Sequence, residues 1–337
     1  MKLFVVVLCY KVPDLTIDCL RSLEPEIRRT PGIRVGVCEN GTGADAADRL
    51  AAAIEENGWG SWCDLTVTHP NLGFCAGNNL LIRPELDSDD PPEYVLLLNA
   101  DTLVREGALA ALIDFMDGHP RAGIAGSRLI SPDGSDQGSP FRFQGIRSEL
   151  DRGMKLGLAT RLMGTGPLPK SPEPTRVDWV AGASMILRTE MLRQVGVLDD
   201  GLYTYFDDID LCLRAKRAGW ETWQVPGSVV VHLEGASTGI SHDVAVVTKR
   251  RPAYWFEARR RFFLKNHGGL YTAMADAALL LGLVAWRIRN SIQRKPDTDP
   301  RHLLSDSWRH SVFRTGFELK DVENPALKSE ATAAASR

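Results

Sequence analysis

The sequence predicts an α/β fold: a mixed, mainly parallel sheet flanked by helices, with a C-terminal helical extension. Three observations carry this. Apolar runs of strand length recur at residues 3–8, 33–38, 65–68 and 94–98. Each leads through a polar or glycine-rich loop into a segment of helical periodicity. The 337 residues are 44% hydrophobic with a net charge of −3, enough apolar material for a large core and the wrong sign for a dedicated nucleic-acid binder.

The elements follow in order. Residues 3–8 are continuously apolar, as expected of a strand buried on both faces. They are not read as a secretory leader, because Lys11 and Pro13-Asp14 follow at once without a small-residue cleavage site. Pro13-Asp14 opens a helix with Leu15, Cys19, Leu20 and Leu23 on one face. Residues 33–38 give a second strand, ending in the tight loop Glu39-Asn40-Gly41-Thr42-Gly43. Residues 46–54 are helical, 65–68 a third strand, and 69–74 a loop entering a helix near 75–79. A fourth strand, 94–98, stops on Asn99-Ala100-Asp101-Thr102, and 107–116 is helical. This repetition implies right-handed crossovers, and such sheets bind ligands at the carboxyl ends of their strands. The loops at 39–43, 71–74 and 99–102 are therefore predicted to converge.

Residues 131–176 are rich in Pro, Gly and Ser and read as loops with one helix near 148–158. A strand of small residues is expected over 177–187, a helix from Asp207 to Ala218 closed by Gly219, and a strand over 224–232. The chain then turns helical and basic from Lys249 and polar from Ser291. The expected organisation is a catalytic domain at 1–245, a basic and aromatic helical extension at 246–292, and a polar, partly disordered tail at 293–337. The six cysteines lack metal-ligand spacing and read as buried hydrophobes of a reducing compartment. An uncharged apolar run of about 18 residues, the length that spans a bilayer, is absent.

Three features carry chemistry. Asp101 ends a buried strand, where a carboxylate can link a divalent cation to a diphosphate or simply close an Asx turn. Asp207-Asp208-Ile209-Asp210 sets three carboxylates within four residues. Their repulsion has to be offset by a cation, a helix N-terminus or a catalytic demand. One of them reads as a general base, with the others orienting and capping; capping alone is the plainer alternative. His232 closes a strand as either a metal ligand or a hydrogen-bonded structural histidine, and the loop from Gly235 to Gly239 has the flexibility to cover a phosphate. Absence of GxGxxG after the first strand, of GxxxxGK[ST] and of GxSxG disfavours dinucleotide, P-loop and serine-hydrolase chemistry.

In this order the motifs resemble the inverting family-2 glycosyltransferases of the GT-A fold, especially the bacterial rhamnosyltransferase-like branch, over residues 3 to 240. The matching stretches are Val7-Leu8-Cys9-Tyr10, Glu39-Asn40-Gly41-Thr42, Asn71 to Asn79, Leu98 to Asp101, Gly182-Ala183, Asp207 to Arg214, and His232. The resemblance implies that Asp101 and His232 bind Mg²⁺ or Mn²⁺ beneath the donor diphosphate. Asn99 stands where the family often has the first Asp of Asp-x-Asp, and as an amide is expected outside the metal's direct ligands. Glu39 takes the position of the base-contacting Asp, with a pyrimidine stacked near Tyr10. Asn40, Asn71, Gly73 and Gly182 belong to the nucleotide-sugar site. Asp208 aligns with the catalytic base, and Asp207 replaces the Glu before it. The implied donor is a dTDP- or UDP-sugar, with rhamnose favoured by the branch, and the acceptor a cell-surface or lipid-linked glycan. A nucleotidyltransferase acting on sugar phosphates and a non-catalytic, membrane-docked scaffold are the alternatives.

Seven cationic residues lie between Lys249 and Lys265 against Glu257 alone, interleaved with Tyr254, Trp255, Phe256, Phe262 and Phe263. The pattern suits the surface of an anionic bilayer, with residues 279–286 dipping into it, or a helical hairpin packed on the catalytic domain. A cytoplasmic enzyme, peripheral on the inner face of the membrane, would follow from the first reading. Nucleic acid is not an expected partner.

Overall fold

The computed structural model describes residues 1–137, 141–166, 168–233, 249–294 and 299–327. Among them, nine strands form one sheet. β1 (Leu3–Cys9), β2 (Ile33–Asn40), β3 (Cys63–Thr68) and β4 (Tyr94–Asn99) make its parallel half, in the order β3-β2-β1-β4. β1 explains its own composition: Leu3, Val5, Val7 and Cys9 enter one core while Phe4 and Val6 enter the other. Side chains alternate across a strand, so burial of both faces demands an unbroken apolar run. The helices α1 (Pro13–Arg29), α2 (Ala44–Glu56) and α4 (Ala108–Gly118) cover the first face. The helices α3 (Phe74–Leu86), α7 (Thr189–Val195) and α8 (Asp207–Arg217) cover the second.

Beyond β4 the sheet is mixed. Its remaining strands are β5 (Thr102–Val104), β6 (Ala122–Ile130), β7 (Thr175–Val177), β8 (Ser184–Arg188) and β9 (Glu221–His232). β8 runs antiparallel to both β4 and β6, whereas β6 and β9 are parallel. β5 turns away from β4 to pair antiparallel with the end of β9, setting Thr102 opposite His232.

Several local expectations change. β6 was not foreseen, because Ala122-Gly123-Ile124-Ala125-Gly126-Ser127 has one branched residue among five small ones and so lacks the pattern that marks strands. Its small residues serve packing: a Cβ on Gly126 would lie 2.6 Å from Val180, and one on Gly123 2.8 Å from Trp220. The strand expected over 177–187 is two strands, β7 and β8, and the segment between them carries Trp179 and Gly182. The single helix near 148–158 is a pair, α5 (Ile146–Met154) and α6 (Gly157–Met163).

The C-terminal region differs most. α9 (Ala253–Gln293) is long and apolar enough to cross a membrane, although no uncharged run of that length was read in the sequence. A non-helical Gly268 (φ 78°) interrupts it. Its first part is not a bilayer-facing surface: Phe256, Phe262, Phe263, Arg259 and Arg260 are buried. Burial of Arg259 is offset by its ion pairs with Glu149 (2.7 Å) and Asp276. The second part packs on α5 where Gly153 meets Gly282; a Cβ on Gly282 would come 2.5 Å from the Leu150 carbonyl oxygen. Part of the expected tail is folded as α10 (Leu303–Arg309) and α11 (Val312–Thr315), held by the Arg250–Asp306 pair (2.7 Å) and by Val312 N–H donating to Asp276 (2.8 Å). Residues 295–298 and 328–337 of that tail lie outside the described residues.

Candidate active site

At the carboxyl ends of β1, β2 and β4 opens a cavity of about 700 Å³. Tyr10, Asn40, Asn71, Gly73, Asn99, Asp101, Gly182, Asp207, Asp208 and His232 all line it, gathered from segments more than 200 residues apart. Glu39 does not line it. That carboxylate is fully buried behind the wall, where Oε1 accepts the Thr42 backbone N–H at 2.6 Å and Oε2 has no hydrogen-bond partner. The loop from Gly235 to Gly239 lies outside the described residues.

One wall is a loop fastened by amides. Asn40 Nδ2 donates to the Gly73 carbonyl (3.1 Å) and to Asn71 Oδ1 (3.3 Å), while Asn40 Oδ1 accepts the Leu72 N–H (2.9 Å). Asn71 Oδ1 also accepts the Gly73 N–H at 2.7 Å. Both asparagines are buried, so each bond holds the 71–73 backbone in a site of low dielectric. Gly73 adopts φ 87° and ψ 176°, a region open essentially to glycine alone, and a Cβ there would meet Tyr203 at 2.6 Å.

At the second wall, the β4–β5 turn and the β5–β9 pairing bring Asp101 Oδ1 to 3.4 Å from His232 Nε2. Asn99 Nδ2 lies 3.4 Å from the same ring nitrogen. On the far side of the ring, His232 Nδ1 meets Gln137 Oε1 at 3.0 Å. An amide oxygen accepts only, so Nδ1 carries the proton and the Nε2 lone pair faces Asp101. Among the described residues, His232 is the sole cationic-capable side chain within ion-pair distance of the buried Asp101 carboxylate. One oxygen and one nitrogen donor, with open cavity beside them, fit a divalent cation that completes its shell from phosphate and water. No group of three or more protein ligands forms among the described residues.

The acidic cluster divides by partner. Asp210 turns away from the cavity, neutralised by Arg214 (2.8 Å) and Lys265 (2.9 Å) and accepting a hydrogen bond from Asn266 Nδ2 (2.8 Å). Asp207 and Asp208 remain at the cavity, and among the described residues neither forms an ion pair. Asp208 Oδ1 accepts the Ile209 N–H (2.8 Å), and Oδ2 lies 3.4 Å from the Gly182 N–H. Burial pushes the Asp208 carboxyl up to about 6. Burial, and then the neighbouring Asp208 charge, push Asp207 up to about 8. Two carboxyls so arranged share the available protons, leaving one ionised and one neutral near pH 7. The turn before them is strained, with Tyr205 at φ 69° and Phe206 at φ 62°.

Several residues of the site escaped sequence reasoning, one of them behind the cavity wall. Gln137, which fixes the His232 tautomer, lies in a stretch with no periodicity or motif. Arg152, Trp179, Tyr203 and Tyr205 also line the cavity and carried no signal in the sequence. Tyr254, Trp255 and Arg251 were noticed as part of a bilayer-facing segment; they close the cavity instead.

Residues 94–291 match the family described as glycosyl transferase family group 2. The N-acetylglucosaminyl-diphospho-decaprenol L-rhamnosyltransferase of Mycobacterium tuberculosis H37Rv is 27% identical over 267 residues, covering 74% of this chain and 79% of that protein. The rhamnosyltransferase WbbL of Escherichia coli K12 is 27% identical over 164 residues, covering 48% of this chain and 60% of that protein. Among solved structures, GalNAc-T7 with UDP, GalNAc and Mn²⁺ superposes with a TM-score of 0.52 at 14% identity, covering all of this chain and 58% of that one. Staphylococcus aureus TarS 1–349 gives 0.51 at 12% identity, covering 99% of this chain and 92% of that one. These two likenesses show a common GT-A-like fold.

Proposed function

The chain belongs to glycosyl transferase family group 2 and moves sugar from an activated donor to an acceptor, and from that premise we propose a metal-dependent, inverting transferase. Its donor is a nucleoside-diphosphate sugar, dTDP- or UDP-linked, with rhamnose favoured by the names of its relatives. Its acceptor is a lipid-linked or cell-surface glycan. The observation that carries this reading is the single cavity in which Asp101, His232 and Asp208 meet the Asn40–Asn71–Gly73 loop.

In this reading Asp101 and His232 Nε2 hold Mg²⁺ or Mn²⁺, with Gln137 orienting the imidazole through Nδ1 and Asn99 standing beside the pair. When bound, the cation supplies Lewis-acid stabilisation of the departing diphosphate. Tyr10 offers a ring for a pyrimidine base. Asp208 takes the proton of the attacking acceptor hydroxyl, while a protonated Asp207 keeps a second negative charge away from it. Attack opposite the leaving diphosphate inverts the anomeric centre in one displacement. Family membership favours sugar transfer over nucleotidyl transfer.

Residues 1–245 form the catalytic unit in this proposal, and 246–292 an extension that completes the cavity wall before turning outward. The outward half of α9 supports peripheral contact with the inner face of the cell membrane. Leu270, Met274, Leu281, Val284, Ile288 and Ile292 are exposed along one helical face, flanked by exposed Arg287 and Arg294.

The test is a thermal-shift and donor-turnover panel of nucleoside-diphosphate sugars with and without Mn²⁺. Selective, Mn²⁺-dependent stabilisation by one dTDP- or UDP-sugar is the expected result. Indifference to every donor would reject the reading. Flotation with anionic vesicles, lost when Leu281 and Ile288 become Glu, checks the membrane contact separately.

A further inference from the structure

The cavity holds cationic groups that the chemistry above does not use. Arg152 of α5 and Arg251, just before α9, both line it. Both lie against the Trp255 indole, their guanidinium carbons 6.0 Å and 3.9 Å from the ring centroid. Arg152 reaches Glu149 at 3.0 Å, but that carboxylate is shared with Arg259 at 2.7 Å. Among the described residues, no carboxylate lies within ion-pair distance of Arg251. Three guanidinium groups therefore answer to Glu149 and Asp276, and the excess positive charge faces the cavity. Desolvation depresses the pKa of both Arg152 and Arg251, the latter to about 10 with repulsion from Arg152 adding to it. An anion between them would relieve both costs.

Their position distinguishes which anion. The edge of Trp255 meets Phe206 at 5.7 Å, and Phe206 immediately precedes Asp207-Asp208. The arginines thus share with Asp208 the wall built through Trp255 and Phe206, and among the described residues no ion pair ties them to the Asp101–His232 pair that suits the donor diphosphate. Arg152 also neighbours Gly153, where α5 touches Gly282 on the buried face of α9, the face opposite the exposed apolar stripe. Carboxylate, arginine pair and apolar stripe are the three groups that a sugar hydroxyl, a charged linkage and a lipid tail would each call for. We propose that Arg152 and Arg251, seated on Trp255, bind the diphosphate of a lipid-linked acceptor and so select that acceptor class; this rests on the sugar-transfer reading above.

The experiment uses the full chain and farnesyl diphosphate as a soluble lipid diphosphate, titrated while dTDP and Mn²⁺ saturate the donor side. Wild-type protein should bind it and bind farnesol far more weakly. Arg251→Gln and Arg152→Gln should each weaken it by about tenfold, the loss of one charge-assisted pair, and leave dTDP affinity within about twofold. Unchanged farnesyl diphosphate binding in the variants, equal binding of farnesol, or a matching loss of dTDP affinity would each overturn the assignment, the last by giving the arginines to the donor. If a glutamine variant does not fold, wild type alone decides: inorganic pyrophosphate must displace farnesyl diphosphate before dTDP, and the reverse order refutes the proposal. Absence of donor turnover in wild type would count against the sugar-transfer reading, whereas this binding comparison stands apart from turnover.

Discussion

Asp208→Asn removes a charge while keeping the shape of the side chain. As general base, Asp208 works ionised, and its carboxyl is raised from 3.8 to about 6 by burial. Activity should therefore climb with pH through about 6 and level off above it, with roughly a tenth of the plateau left one pH unit below. Stability runs the other way. A carboxyl whose folded pKa lies above its unfolded value binds protons more tightly when folded, so stability is lost as pH rises from about 4 to about 6. A displacement of that size is worth on the order of 3 kcal/mol against the charged form, and residual contact with solvent trims it to ~1–2 kcal/mol. The asparagine variant should accordingly melt a few degrees above wild type at pH 8 and lose that advantage below about pH 4. Transfer should fall by about 10²–10⁴-fold with donor affinity retained. Nucleotide release in the presence of acceptor, calorimetric donor binding and melting curves at the two pH values are the assays. Substantial turnover, or a variant less stable than wild type at pH 8, would refute the assignment of Asp208 and the account of its burial.

Three further outcomes follow from the same geometry. Asp101→Asn should abolish Mn²⁺-dependent stabilisation by a nucleoside diphosphate, and Gln137→Ala should weaken Mn²⁺ affinity by about tenfold by freeing the His232 tautomer, both read by thermal shift against Mn²⁺ concentration. Gly73→Ala should cost about 1–3 kcal/mol in chemical denaturation, from its glycine-only backbone region and the contact with Tyr203. Gly282→Val should force α5 from α9, lowering the melting temperature and raising proteolysis within residues 146–163; an unchanged digestion pattern would contradict the close packing.

Much of the site was legible because its residues sit where strands end. Strands buried on both faces announce themselves as apolar runs, and the polar residue that stops each run is then held at the sheet edge; Asn99, Asp101 and His232 lie at such ends, whereas Asn40 came only from the resemblance, and Glu39, which stops the second run, sits behind the cavity wall. The acidic cluster was legible as a cluster but not as a division of labour, since Asp210 is claimed by Lys265 and Asn266, about 55 residues away in sequence. β6 was hidden because its packing against Val180 and Trp220 requires small side chains, which weaken the strand signal. The basic, aromatic stretch after Lys249 left two readings open, a bilayer surface and a hairpin packed on the catalytic domain, and its first half follows the second. Charge and rings together suit a bilayer, but here Arg259 finds Glu149 and Asp276, and Trp255 finds the cavity, partners that no local pattern reveals.

The pairing of Thr102 with His232 joins positions 130 residues apart and, with the Leu233 N–H donating to the Asp101 carbonyl at 2.9 Å, draws Asp101 up to the imidazole. The two proposed metal donors therefore depend on one edge of the sheet being closed. Whatever loosens the seam between β5 and β9 should cost cation affinity before it costs the rest of the fold.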